Sequence, residues 1–169
     1  FISEKDNGPA DALNKALLMA NGLYIGWLNS DDKLEEYSIE RAVNRFASNS
    51  DLKILYGHGR FIDEKSKFLG YYPTFKPEVN INSFDEGCFI CQPTIFIKKE
   101  LFKSIGNFDV NLKTCFDMDM WLRIFQLLKK KEIGFIDDIQ ASTRIHKNTI
   151  TSKQSFRCNI ESAIVLKKN

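Results

Sequence analysis

The stretch Leu23-Tyr24-Ile25-Gly26-Trp27-Leu28-Asn29-Ser30-Asp31-Asp32 decides how the rest of the chain is read. Its first part, Leu23 to Leu28, is apolar without alternation, the pattern of a strand buried on both faces of a parallel sheet. The run then stops abruptly at an acidic turn. Upstream, Ala10, Leu13, Leu17 and Ala20 recur at helical spacing, with Gly8 and Pro9 as N-cap and first-turn pair and Gly22 as the stop. Downstream, Ile39, Ala42, Val43 and Phe46 predict a second amphipathic helix with those four on one face. Helix, buried strand, acidic turn and helix make an α/β crossover. In open α/β sheets ligands collect at the carboxyl ends of strands, which is where Asp31 and Asp32 stand.

Further along, residues 51–62 read as a strand or strand pair, and Asp63-Glu64-Lys65-Ser66 as a polar turn into an antiparallel return over 67–72. Residues 74–92 have no clear period after Pro73 and Pro77, and a loop of that length inside a compact domain is usually functional or mobile. Thr94 to Ile97 is a short β-rich run, followed by a helical stretch that Gly106 ends. A helix is expected from about Asp117 to Lys130, then two short strands over 133–136 and 139–145. The last helix carries Phe156, Ile160, Ala163 and Ile164 on one face, expected to pack on the core, with Lys153, Arg157, Lys167 and Lys168 beside it, a pattern that also suits a membrane surface or a partner. No repeat or linker divides the chain, so one domain over residues 1–169 is the economical reading.

Composition sets outer bounds. The 169 residues are 43% hydrophobic, enough to fill one core, and 24 Lys+Arg against 22 Asp+Glu leave a net charge of +2. Near-neutral charge gives no electrostatic footprint for DNA or RNA as main partner. The longest apolar runs fall far short of the ~20 residues that span a bilayer, and no secretory signal opens the sequence. It begins with Phe1 rather than Met, from which missing upstream sequence is expected. The cysteines at 88, 91, 115 and 158 read as reduced. Cys88 and Cys91 form a CxxC, but a zinc site would need Cys115 and His146 to complete it.

Two carboxylate groups invite chemistry. Asp31 and Asp32 offer hard oxygens suited to Mg²⁺ or Mn²⁺, which bind through one or two carboxylates plus substrate phosphates; alternatively one of them caps the next helix. Asp117 heads the stripe Asp117, Trp121, Ile124, Leu128, whereas Asp119 shares a polar stripe with Arg123, its i, i+4 partner. A carboxylate at the edge of a core is costly unless bonded, partly wet in a cleft, or used as a base. An N-cap role for Asp117 stays open. His146, after a strand, is either a metal or phosphate ligand or a packing residue. His58 has less to recommend it, and the lysines at 129–131 suit a solvated helix C-terminus.

Taken in order, several motifs resemble a known family. They are Ser3-Glu4-Lys5-Asp6-Asn7-Gly8, Asp11-Ala12-Leu13-Asn14-Lys15-Ala16, residues 25–32, Cys91-Gln92-Pro93-Thr94-Ile95-Phe96, Gly106-Asn107-Phe108-Asp109, Asp117-Met118-Asp119-Met120-Trp121-Leu122-Arg123 and Arg144-Ile145-His146. Together they are similar to family 2 glycosyltransferases, inverting enzymes with the GT-A fold, a Rossmann-related mixed sheet flanked by helices. The resemblance implies that Asp31 and Asp32 stand at the metal-binding DxD element, whose first position here is Asn29. It implies Asp117 as the catalytic base, preceded by Phe116 where the family often has Glu. His146 matches a position that contacts the metal or diphosphate in some relatives. Asp6, Gly8, Asp11 and Asn14 resemble the loop and helix start beside the nucleotide, and Asp32 joins them as a donor-binding residue by the same resemblance.

The implied reaction moves a sugar, with inversion, from a nucleotide-diphosphate sugar to an acceptor hydroxyl, with Mn²⁺ or Mg²⁺ as cofactor and a glycan or lipid-linked acceptor. Surface polysaccharide synthesis in the cytoplasm, at the inner membrane face by peripheral association, follows by the same resemblance. Within one domain, it places the donor-site remainder at about 1–50, the acceptor side and catalytic helix at about 51–150 and a C-terminal helix at about 152–168. The first strands and helix of the family are expected to precede Phe1; weak nucleotide binding, an unpaired sheet edge and self-association, for instance as a homodimer, would follow. A non-catalytic carbohydrate-binding or scaffold remnant of the fold is the alternative, and a nucleotidyltransferase is a third reading.

Overall fold

The computed structural model describes residues 3–77, 84–85, 87–149 and 153–169. Helix α1 spans Pro9–Met19. Strands β1 (Tyr24–Ile25) and β2 (Lys33–Leu34) precede α2 (Ser38–Ser48), β3 (Ile54–Ile62) and β4 (Phe68–Tyr71). Then come β5 (Phe96–Lys98), the short α3 (Phe102–Ile105), α4 (Phe116–Leu127), β6 (Ile133–Arg144) and α5 (Ser155–Lys168). Short 3₁₀ turns lie at Gln92–Thr94, Lys99–Leu101 and Lys130–Glu132. Among the described residues no helix is long and apolar enough to cross a membrane.

The sheet runs β1-β5-β3-β6-β2, with β4 added to β3. Among the described strands only β3 and β6 pair in parallel; β1 with β5, β5 with β3, β2 with β6 and β4 with β3 are antiparallel. Two successive antiparallel steps give β1 the direction of β3 and β6, so the carboxyl ends of all three lie on one side of the sheet. That side carries Asp31 after β1 and His146 after β6.

Two hydrophobic layers sandwich this sheet. On one face Ala42 and Phe46 of α2 pack with Leu52, Leu55 and Phe96, and the Tyr24 and Phe46 rings stack at 4.4 Å. On the other face α1, α4 and α5 contribute Ala10, Met120, Trp121, Ile124 and Val165 to a core with Ile54, Tyr56, Phe84, Phe89 and Ile97. Gly8 caps α1 at φ 127, a left-handed conformation that costs glycine little. Pro9 at the first helical position needs no N–H partner.

Several sequence expectations are corrected. The apolar run at 23–28 is not a doubly buried parallel strand: β1 has two residues, sits at an edge, and among the described residues pairs only with β5, while Leu23 is 78% exposed. Local apolarity cannot supply the neighbours that burial requires. In α2 the buried side is Ser38, Ala42 and Phe46, leaving Ile39 and Val43 exposed. The two strands expected over 133–136 and 139–145 are one, β6, whose register against β3 shifts between Ile136 and Ile139 so that Asp137 and Asp138 bulge out.

Helix α4 stops at Leu127, three residues early, and its lysines ride on the following 3₁₀ turn. In α5 the face expected on the core is the outer one, with Phe156 78%, Ile160 46% and Ile164 53% exposed. Glu161 and Val165 are buried instead. The reason is a long-range bond: Glu161 accepts hydrogen bonds from the backbone N–H groups of Lys113, Thr114 and Cys115, which turns that side of α5 toward the start of α4. The irregular 74–92 segment returns to the core at Phe84, Phe89, Ile90 and Cys91; its residues 78–83 and 86 lie outside the described ones.

Candidate active site

The turn after β1 separates its two carboxylates. Asp32 is buried and fully engaged: Oδ1 accepts from the Arg144 N–H at 2.9 Å and the Thr143 hydroxyl at 3.0 Å, and Oδ2 from the Asn29 amide at 3.0 Å. Burial pushes its proton affinity up, against the pull of these bonds. It does not cap the next helix, whose N-cap is Tyr37. Its work is to tie the turn to the end of β6.

Asp31 points the other way, with its side chain 36% exposed and Oδ2 3.0 Å from His146 Nε2. The other ring nitrogen of His146 accepts the Asn148 N–H at 3.1 Å. A nitrogen that accepts leaves the ring proton on its opposite, so Nε2–H donates to Asp31 and His146 orients that carboxylate. Nε2 is thereby engaged and is not free for a cation in this arrangement. Among the described residues Asp31 Oδ1 makes no hydrogen bond, and no group of three His, Cys, Asp or Glu side chains is placed to hold a metal ion. Asp31, Asp32 and His146 thus do not converge as one ligand set. One open carboxylate still fits the way Mg²⁺ or Mn²⁺ binds when substrate phosphates and water complete the shell.

Asp117 is the second residue of α4 and is half-buried. Burial pushes its carboxyl up to about 6, opposed by the N–H groups of Met118 and of Asp117 itself. Oδ1 accepts the Met118 N–H at 2.8 Å, and Oδ2 makes no hydrogen bond among the described residues. Asp119 is different: fully buried, it takes Arg123 at 2.8 Å on one oxygen and Lys168 at 3.2 Å on the other. The head of the polar stripe, Asp119, therefore lies under the end of α5.

Segment 88–92 borders the acidic turn through Gln92 and lies within reach of the Asp117 charge at Cys88. Gln92 accepts from the Asn29 amide at 3.1 Å and donates to Trp27 O at 2.8 Å. The charge of Asp32 reaches Cys91, and that of Asp117 reaches Cys88 and Tyr72. Trp121, one turn after Asp117, stacks on Trp27 at 5.4 Å, just before the acidic turn. Gln92 and Arg144 are the positioning residues to which sequence reading assigned no role, although both lie in motifs quoted above. Arg144 Nε donates to Asp31 O at 2.8 Å, and its guanidinium also holds Asp63 O and the Ser66 hydroxyl.

The group at 6–14 stands apart. Asp6 accepts the Gly8 N–H and Asp11 the Asn7 N–H, both at 2.9 Å. Asn14 clasps the Phe108 backbone through both amide atoms at 2.9 Å. No hydrogen bond or ion pair joins Asp6, Gly8, Asp11 or Asn14 to Asp31 or Asp117 among the described residues. A concavity of about 710 Å³ lies between the end of α1, β1 and α3. It contains none of the candidate residues.

The profile of glycosyl transferase family 2 matches residues 1–106, more than half of the chain. The chain belongs to glycosyltransferase family 2. An uncharacterized glycosyltransferase of Rickettsia typhi is 28% identical over 164 residues, 90% of this chain and 49% of that protein. Escherichia coli chondroitin synthase is 28% identical over 139 residues, 80% of this chain and 20% of that one. Among solved structures, residues 1–349 of Staphylococcus aureus TarS in complex with UDP-GlcNAc match with a TM-score of 0.67 at 15% identity, over 98% of this chain and 48% of that one. The likeness shows the GT-A fold. This family 2 chain spans about half the length of the first curated relatives it matches.

Proposed function

We propose that this family 2 chain carries the catalytic groups of an inverting transferase that moves a sugar from a nucleoside-diphosphate sugar to an acceptor hydroxyl. The observation that carries the reading is Asp117: a carboxylate with one oxygen that makes no hydrogen bond among the described residues, pushed up to about 6 by burial, on the helix that Trp121 docks beside the acidic turn. A base near the working pH accepts a proton readily without being protonated beforehand. Asp117 Oδ2 would take the acceptor's hydroxyl proton as that oxygen bonds to the anomeric carbon. The bond to the diphosphate breaks on the opposite face, so the configuration inverts. Asp31 would hold Mn²⁺ or Mg²⁺, which when bound neutralises charge on the diphosphate. His146 and Arg144 orient Asp31, and Asp32 anchors its turn.

In this reading residues 1–169 form a single domain, with the donor remainder at about 1–50, the acceptor side and catalytic helix at about 51–150 and the C-terminal helix beyond. The TarS complex makes UDP-GlcNAc the first donor to test, and chondroitin synthase favours a growing glycan as acceptor. The outer face of α5, with Phe156, Ile160 and Ile164 exposed beside Lys153 and Lys167, suits peripheral contact with an anionic membrane on the cytoplasmic side. The side of β1 that pairs with no described strand suits a homodimer.

Calorimetry with UDP-GlcNAc tests this. Mn²⁺ is expected to strengthen binding to the parent, with the gain lost in Asp31→Asn; Asp117→Asn should bind like the parent and transfer roughly 10²–10⁴-fold more slowly. Full transfer by Asp117→Asn would overturn the assignment. Metal-independent or absent nucleotide binding, in the chain and in any longer product of the same gene, would favour the non-catalytic alternative.

A further inference from the structure

Cys115 and Cys158 are far apart in sequence, yet their sulfurs lie 3.4 Å from each other. The contact follows from the way α5 meets α4. The Glu161 carboxylate binds the backbone of residues 113–115, and Cys158, one turn earlier on the same side of α5, is brought onto the Cys115 side chain. The Ser162 hydroxyl lies 3.2 Å from Cys115 Sγ, and that sulfur is also 3.4 Å from Cys158 O. Cys115 is buried, whereas Cys158 is partly open to solvent.

The two thiols have unequal environments. The hydrogen bond shared with Cys115 pulls Cys158 below the ordinary thiol range, helped by Thr114 and Ser162 and opposed by burial and the charge of Asp117. Cys115 is driven up by the same bond and by burial. Cys158 also occupies the first turns of α5, where the helix dipole favours an anion. Burial raises Cys91. Cys88 is pushed up to about 12, chiefly by burial. A partly exposed thiolate with a second thiol in reach has the arrangement of a nucleophilic and a resolving cysteine.

We propose that Cys158 and Cys115 form an oxidisable dithiol that a peroxide converts to an intramolecular disulfide, fastening the start of α4 to α5 two residues from Asp117. In the first step the Cys158 thiolate attacks one peroxide oxygen, the O–O bond breaks, and Cys158 becomes a sulfenic acid with hydroxide released. In the second the Cys115 sulfur attacks the Cys158 sulfur; an S–S bond forms, the S–O bond breaks, and the Cys115 proton leaves with the oxygen as water. Overall two thiols and one hydrogen peroxide give one disulfide and two waters. The sulfurs must close from 3.4 Å to about 2.05 Å, a movement of little more than one ångström.

Hydrogen peroxide and iodoacetamide are the probes. On the folded chain near neutral pH, iodoacetamide should alkylate Cys158 on the order of tenfold or more faster than Cys88 or Cys91. Peroxide should then give a product lighter by two hydrogens, whose digest joins the peptides containing Cys115 and Cys158. In Cys115→Ser the reaction should stop at a Cys158 sulfenic acid that dimedone traps. Equal labelling of the cysteines in the parent would overturn the proposal, as would a disulfide involving Cys88 or Cys91 or one formed only between molecules. The labelling comparison uses the parent alone and stands even where a variant fails to fold.

Discussion

Replacing Asp117 with asparagine should make the protein more stable at neutral pH while removing its proposed base. In the folded protein the Asp117 carboxyl is raised from its ordinary 3.8 to about 6, chiefly by burial. Below pH 3.8 it is protonated folded and unfolded alike and contributes nothing. Between 3.8 and about 6 the folded state binds the extra proton, so stability falls as pH rises. Above that window the buried charge costs the folded state about 1.4 kcal/mol for each tenfold of raised affinity, or roughly 3 kcal/mol in all. Asparagine carries no charge, and its Oδ1 can still accept the Met118 N–H now held at 2.8 Å. Urea unfolding of parent and Asp117→Asn at a series of pH values from about 4 to 7.5 reads the difference directly. The variant's advantage is expected to be near zero at the acid end and to grow to roughly 1–3 kcal/mol at the neutral end. A difference that stays flat across the series, or favours the parent at neutral pH, would refute the desolvated carboxylate and with it the physical reason for choosing Asp117 as base.

Glu161→Ala should cost about 2–4 kcal/mol, because N–H groups at residues 113–115 lose a charged acceptor. Burial raises the Glu161 carboxyl, but the Thr114 hydroxyl and these N–H groups outweigh it and leave it lowered; its contribution is therefore full above the ordinary 4.5 and lost as pH falls below it. Denaturant curves of parent and Glu161→Gln converging in acid would bear this out, and a gap that widens in acid would not. Gly59→Ala should lower the melting temperature: an added Cβ would sit 2.4 Å from Cys91 Sγ and 2.6 Å from Cys91 Cβ. Overpacking of that kind costs about 1–3 kcal/mol, or roughly 3–10 °C for a chain of this size, and an unchanged melting curve would contradict the packing of segment 88–92 on β3.

Local chemistry made part of this fold legible. Gly8-Pro9 marks the start of α1, the Asp63–Ser66 turn makes the β3–β4 hairpin, and the Asp119–Arg123 pair stands at its i, i+4 spacing. What periodicity could not decide is which of two apolar arcs faces inward. In α5, Phe156, Ile160 and Ile164 form the more apolar arc, yet Cys158 and Val165 on the other side pack on the core. The Glu161 carboxylate settles the matter through partners nearly fifty positions away. Likewise the run from Leu23 to Leu28 has a buried strand's composition, but pairing partners, not composition, fix whether a strand is central.

The candidate site repeats one device twice. Residues two apart in a helix are about 200° apart, and in the acidic turn the two neighbours meet different partners, so neither pair of nearby carboxylates shares one environment. In the acidic turn Asp32 faces inward and receives three hydrogen bonds, and Asp31 is left outward with Oδ1 open. In α4 Asp119 faces inward onto Arg123 and Lys168, and Asp117 is left with Oδ2 open. Each locked carboxylate fixes the backbone that presents the open one. The sequence shows both pairs, but the donors that lock Asp32 come from Asn29, Thr143 and Arg144, and the contacts of Asp119 come partly from the chain's last residues. A reading confined to spacing can therefore nominate the pairs, while the choice of which member acts rests on contacts made across the fold. Exchanging the open member should remove transfer and spare the fold, whereas exchanging the locked member should loosen the fold and lower transfer only through it.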